Sequence, residues 1–137
     1  MTEAVLVDTN VVSFLFRRDT RAELYRPHLL GKRCCLSFQT VAELKLWAII
    51  RNWGQPRRER LDQVLRHYVV LPYDAATADK WAETSAHRRR IGRQIGCGDC
   101  WIAAAALRHD IPLITDDSTD FEEIPGLTVI TEHSTAD

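Results

Sequence analysis

The stretch AVLVDTNVVSFLFRR, residues 4–18, decides the fold. AVLV is a short, continuous apolar run rich in β-formers, and it stops at Asp8; that reads as a strand buried on both faces. VVSFLFRR reads as a short helix. A buried strand that passes through one acid into a helix opens an α/β unit, and the chain repeats the theme. RAELYRPHLL (21–30) reads as a second short helix, interrupted near Pro27 and ended by Gly31. RCCLSF (33–38) reads as a strand. QTVAELKLWAIIRN (39–52) reads as a helix with Val41, Leu44 and Ala48 on its inner face, closed by Gly54-Gln55-Pro56. PRRERLDQVLRHY is a helix with proline at its start. VVLPYD is a short strand ending at Pro72, and ATADKWAETSAHRRRIGRQ (76–94) is a helix turning Ala78, Trp81 and Ala82 inward. A helix over 99–109, a strand IPLIT (111–115), a loop DDSTDFEEIPG and a last strand LTVIT (127–131) complete the order. This alternation predicts an α/β fold with a central, mostly parallel sheet and helices on both faces.

The 137 residues suit a single domain over 1–132, followed by a short polar tail, HSTAD, at 133–137. An apolar content of 45% is globular. No apolar run approaches the roughly 18 residues needed to span a bilayer, so no membrane association is expected. MTEAVLVDTN carries an acid early and runs straight into a strand, unlike a signal peptide. With four cysteines and no such signal, reduced thiols and a cytoplasmic location are expected. The net charge of −1 hides an asymmetry: residues 51–93 hold ten Lys and Arg against five acids, residues 94–137 one Arg against nine acids. Such blocks fit a protein that touches a polyanion and also holds a cation; two ordinary solvated faces would look the same.

The acids acquire meaning from the fold. In open parallel sheets, ligands bind at the carboxyl ends of the strands. Asp8 ends the first strand, Asp116 and Asp117 follow IPLIT, Glu43 lies in the first turns of the helix after RCCLSF, and Asp99 starts the helix after Gly98. Each has a plain structural reading: Asp8 as a turn or cap residue, Asp99 as an N-cap, Glu43 as a favourable first-turn charge, Asp116 and Asp117 as loop residues. Jointly they map to one edge of the sheet. Two carboxylates about 4 Å apart repel by roughly 4 kcal/mol at an effective dielectric of ~20. A cluster stays ionised when a cation bridges it, and an all-oxygen set suits Mg²⁺ or Mn²⁺. Carboxylates, a divalent ion and a basic flank are the parts needed for phosphodiester hydrolysis. Arg88, Arg89, Arg90 and Arg93 supply that flank as candidate RNA contacts, or form a solvated helix end with cations at its C-terminal dipole.

The stretch IGCGDCWIAAAAL (95–107) tests the alternatives. A C-x-x-C pair at a helix start suits a thiol redox site, but that motif follows the first strand of a redox fold, and this one comes late in the chain. Zinc needs four ligands, and Cys34 and Cys35, adjacent on a strand, point to opposite faces. The thiols read as small packing residues, leaving Asp99 as the functional side chain of the stretch.

Together these residues resemble the PIN-domain ribonucleases, in particular VapC-type toxins of bacterial toxin–antitoxin pairs, over essentially the whole chain. VLVDTNVV looks like the family's first strand with its Asp-Thr/Ser-Asn signature, SFQTVAEL like its second motif, IGCGDCWIAAAAL like its third, and PLITDDSTDFEEIPGL like its fourth. The resemblance implies a PIN-like three-layer α/β/α sandwich, Mg²⁺ or Mn²⁺ dependence, and cleavage of a structured RNA at an exposed loop. It also implies a homodimer and inhibition by a cognate VapB-type antitoxin. It puts Asp8, Glu43, Asp99 and Asp117 in the catalytic, metal-holding set. Asp120 is second to Asp117, acting through water, and Asp116 third; Asn10 and Thr115 hold the carboxylates or water at the ion.

Two other classes compete. A haloacid-dehalogenase-type phosphohydrolase also places Asp after its first strand, but it needs a second Asp where this chain has Asn10, and a downstream Lys, of which there are only Lys32, Lys45 and Lys80. A non-catalytic PIN-like binding module would not need all four acid motifs. LKLWAII and Arg51-Asn52-Trp53 carry more apolar surface than one helix face buries, so Trp47 and Trp53 are expected either in the core or under a partner.

Overall fold

Period-two alternation inside fully buried strands sorts the interior into two cores. Val5 and Val7 of the first strand face one side and Leu6 the other; Leu36 and Ile114 join the first set, Cys35 and Leu113 the second. Cys34 packs on the first core and Cys35 in the second, so the two thiols do point to opposite faces. The structure, a computed structural model, describes residues 2–133; the polar tail expected at 133–137 lies, beyond His133, outside the described residues.

The elements run β1 (Ala4–Val7), α1 (Thr9–Arg17), α2 (Ala22–Leu29), β2 (Arg33–Ser37), α3 (Phe38–Ile50), α4 (Gln55–Leu65), β3 (Val69–Leu71), α5 (Ala75–Arg90), α6 (Cys97–His109), β4 (Leu113–Ile114) and β5 (Val129–Ile130), with a 3₁₀ turn at Ser118–Phe121. The sheet order is β3-β2-β1-β4-β5, and all four pairings are parallel. Helices α1 to α4 build the first core, and α6 with the turn around Phe121 builds the second. This is the expected three-layer sandwich. The order reverses between β1 and β4, and that reversal opens a crevice at their carboxyl ends.

Several local expectations change. Ser37 ends β2 and caps α3 by accepting from Thr40 N, which moves Phe38 from the strand to the helix. Pro27 sits inside α2 without breaking it; an eight-residue helix loses one bond there and still closes through Leu30 N to Arg26 O. The expected loop over 116–126 contains the 3₁₀ turn. Ala78 and Ala82 are exposed, not inward. The inner stripe of α5 is Thr77, Thr84, Ser85 and Arg88, with Trp81 half-buried, so this helix packs a polar stripe. Leu44 and Ala48 of α3 are buried and Val41 partly so. Trp47 and Trp53 both pack against the first core, Trp53 stacked on Phe16 at 5.3 Å. The apolar side chains that α3 leaves exposed are instead Phe38, Leu46, Ile49 and Ile50. No helix among the described residues is long and apolar enough to cross a membrane.

Candidate active site

Asp8 ends β1 and is the N-cap of α1. Its backbone N–H donates to Ile114 O (2.9 Å), and its carbonyl receives Val11 and Val12. Its carboxylate is 4% exposed. One oxygen accepts from Thr9 N at 2.7 Å, the other from Thr115 Oγ1 at 2.7 Å and Asn10 Nδ2 at 3.5 Å. Burial pushes its carboxyl up to about 7. The Thr115 and Thr9 bonds pull it down, and the charges of Asp99 and Glu43 add to the rise.

The crevice between β1 and β4 is laced by one amide. Asn10 Nδ2 donates to Asp117 Oδ2 at 3.0 Å and reaches Thr115 Oγ1 at 3.4 Å, while Asn10 Oδ1 accepts from Asp116 N at 3.2 Å. Thr115 Oγ1 also accepts from Asp117 N at 3.0 Å. Asn10 and Thr115 therefore tie the β1 end to the β4 end, and Asp117 projects, exposed, at the crevice mouth. Asp116 turns the other way: its carboxylate accepts from the buried Tyr25 hydroxyl and lies 4.0 Å from His133 Nδ1. It faces α2 and stands apart from the other acids.

Asp99 is the third residue of α6, not its cap; Gly96 holds the cap position, and α6 begins two residues earlier than the sequence suggested. Asp99 is half-buried and its carboxyl is pushed up to about 6, first by burial and then by the charges of Asp120, Glu43 and Asp117, with Arg88 opposing. On α3, Glu43 Oε1 accepts from Gln39 Nε2 at 2.9 Å. Helices α3 and α6 meet here: a Cβ on Gly98 would lie 3.0 Å from Gln39 Nε2 and 3.2 Å from Glu43 Oε1. A side chain at 98 would therefore crowd the ends of Gln39 and Glu43, a role for Gly98 invisible in sequence because its neighbours are on another helix.

Asp99 is therefore the hub: Glu43, Asp117 and Asp120 act on it, it acts with Glu43 on Asp8, and Asp116 is not among the acids that act on either. No three acids, His or Cys among the described residues stand at the spacing of a ready-made ligand set. The donor set is nonetheless all oxygen and short of positive charge, which suits a hard divalent ion that keeps several waters of its own.

The basic flank is corrected. Arg88 is 5% exposed, and its guanidinium donates to the carbonyls of Arg93 (2.6 Å), Asp120 (3.1 Å) and Glu122 (2.9 Å). A group buried on three carbonyls does not reach a phosphate. It holds the Asp120 turn, and its charge opposes the rise at Asp99. Arg93 pairs with Glu122 (3.2 Å) and Glu123 (3.4 Å). Arg89 and Arg90 are exposed. Arg57 lies over the Trp53 ring and Arg60 over the Phe16 ring, at the far ends of α3 and α1 from the acids.

Fold and site together define a class: an α/β protein whose parallel sheet reverses order over a crevice lined by carboxylates from four separate segments. The PIN domain family model matches residues 5–127. The toxin FitB of Neisseria gonorrhoeae is 31% identical over 125 residues, 85% of this chain and 90% of FitB. The tRNA(fMet)-specific endonuclease VapC of Shigella flexneri is 27% identical, covering 89% of this chain and 92% of that protein. The solved VapBC2 of Rickettsia felis, bound to a fragment of its promoter DNA, superposes with a TM-score of 0.84 at 20% identity, over 93% of this chain and 98% of that one. The chain belongs to the PIN-domain family, among the VapC and FitB toxins.

Proposed function

We propose that the protein is the toxin of a toxin–antitoxin pair: a Mg²⁺- or Mn²⁺-dependent endoribonuclease that hydrolyses phosphodiester bonds in an exposed loop of a structured RNA, a tRNA or an rRNA. It acts in the bacterial cytoplasm as a homodimer and is silenced by a cognate VapB-type antitoxin. Family membership and the named activity of the Shigella relative support the reaction class. The observation that supports the reading is a chain of acids from four segments: Asn10 Nδ2 bonds both Asp8 and Asp117, Glu43 and Asp99 act on the buried Asp8, and Glu43 and Asp117 act on Asp99, so that burial and acidic neighbours push both Asp8 and Asp99 upward.

Asp8, Glu43, Asp99 and Asp117 are the residues to hold the ion, with Asp120 reaching it through water. Bound there, a divalent ion neutralises charge growing on the phosphoryl oxygens and acidifies water. The protein's own contribution is positional. Thr115 and Thr9 fix both oxygens of Asp8, Asn10 aims Asp117, and Gln39 aims Glu43. Arg88 holds the Asp120 turn at its height, and Arg89 and Arg90 remain as the exposed cations for the RNA backbone. The haloacid-dehalogenase reading fares worse, because Asn10, at the position where that chemistry needs an acid, is already committed to Asp116 and Asp117.

The test compares wild type with Asp8→Ala and Asp99→Ala on total cellular RNA in Mg²⁺, Mn²⁺ or EDTA. Discrete fragments from wild type, absent in EDTA and with both variants, are expected. Cleavage persisting in both variants would overturn the site assignment. Intact RNA with well-folded wild type, and no metal bound by calorimetry, would support the binding-module reading.

A further inference from the structure

An aromatic row lies past the carboxyl ends of β2 and β3, beside α3 and α6. Trp81 of α5 lies 5.3 Å from Trp101 of α6; Trp101 stacks on Tyr73 at 4.9 Å with 22° between the planes; Tyr73 lies 6.1 Å from Phe38. Three of these rings are half-buried, and the row surfaces at Phe38, which is 59% exposed. The row is joined to the acids. The Tyr73 hydroxyl accepts from Gln39 N at 3.3 Å, and the side chain of the same Gln39 donates to Glu43. Trp101 follows Asp99 by two residues. The exposed ring therefore stands one residue from Gln39, on the first turn of the helix that carries Glu43.

We infer that the Phe38 ring, backed by Tyr73 and Trp101, is a stacking platform for an unpaired base of the RNA strand that crosses the carboxylates. This rests on the nuclease reading above and names the part of the substrate that the site's rim takes. Three physical points carry it. A strand that leaves the acids past the first turn of α3 meets this ring, which is exposed there next to the Gln39 that bonds Glu43. Bases of single-stranded RNA are held largely by stacking on aromatic faces, a contact that tolerates any base. The row behind Phe38 is fixed by ring-on-ring packing and by the Tyr73 hydrogen bond, so little freedom is lost when a base settles on it. The other exposed apolar side chains of α3, Leu46, Ile49 and Ile50, lie further along the helix from the acids and are aliphatic, without a face to stack on.

The probes are short polyadenylate and polyuridylate oligonucleotides, with a blunt RNA duplex as control, bound in EDTA so that no strand is cut and read by fluorescence anisotropy. Phe38→Ala and Phe38→Leu are expected to weaken single-strand binding about tenfold and leave duplex binding unchanged. Phe38→Trp and Phe38→Tyr are expected to restore it, and the emission of the new tryptophan to be quenched on binding. Thermal melts of all four variants are expected to overlay wild type, since the ring is exposed. Wild-type affinity in Phe38→Leu, equal losses on duplex and single strand, no binding by wild type, or an unquenched tryptophan would each overturn the platform. So would a change in oligomeric state on light scattering with Phe38→Ala, which would assign the ring to a contact between copies. These affinities are measured without metal, so they stand apart from the total-RNA assay, whose failure would remove the nuclease reading instead.

Discussion

Asp8 and Asp99 are the same side chain raised in the same direction, yet their settings differ. Asp8 is sealed in the crevice between β1 and β4, and donors engage both its oxygens. Burial dominates its shift, and the hydrogen bonds partly answer it. Asp99 stands half-open on the first turn of α6, and after burial its shift comes from three acids and one arginine, with no hydrogen bond among the causes. One carboxylate is held by structure; the other is held in place against its neighbours' charge. The first should therefore be a position where substitution costs stability, and the second one where function is maintained at stability's expense.

The largest effect expected is on cleavage. Asp99→Asn keeps the shape and removes the charge, and its rate on total RNA should fall about 10³-fold, the scale of losing one charged contact to a reacting centre. Retained activity would break the claim that Asp99 works as an anion. Next is stability at the other carboxylate. At pH 5, where Asp8 carries its proton and burial of its charge costs nothing, Asp8→Ala leaves the Thr115 hydroxyl and Thr9 N–H without their acceptor in a buried crevice, a loss of about 2 kcal/mol seen as a lowered urea midpoint. Gly98→Ala should come third: the added methyl must displace the ends of Gln39 and Glu43, lowering cleavage about tenfold with an unchanged melting temperature.

The smallest effect is the sharpest test. With folded-state values of about 7 and 6 against an ordinary 3.8, Asp8 and Asp99 bind protons more tightly in the folded chain. Their stabilising contribution is complete below about pH 4 and is lost as pH rises through 6 and then 7. Asp99→Asn removes one of the two penalties. At pH 8 and in EDTA the variant should melt higher than wild type, by about 1 kcal/mol once solvent screening of a half-open group is allowed for, and the two should converge near pH 4. Millimolar Mn²⁺ should raise wild type and leave the variant nearly unmoved. A variant less stable than wild type at pH 8 would remove the distinction between the two carboxylates.

The parallel sheet with helices on both faces, and the placing of Asp8 and Asp117 after strands, could be read along the chain, because buried strands are continuous apolar runs and acids follow them directly. What could not be read depends on partners far away in sequence. Asp116 and Asp117 are neighbours in one turn, and their divergence is decided by Tyr25, which claims the first, and Asn10, which claims the second. Arg88 looked like part of a solvated basic run because nothing in the run hints at carbonyls more than thirty residues on. The inner stripe of α5 escapes apolar periodicity because its buried positions are Thr77, Thr84, Ser85 and Arg88, while Ala78 and Ala82 on the outer face fit the apolar pattern by chance.

The hydrogen bond between Thr115 and Asp8 joins residues 107 apart. Its consequence concerns timing. A growing chain makes Asp8 107 residues before the hydroxyl that orients it, and the strand β4 beside it and the amide-linked Asp117 belong to that same later segment. Until then the crevice has one side. A ribosome is thus beside an incomplete cutter for as long as it takes to add those 107 residues, and no edge needs restraint before they are made.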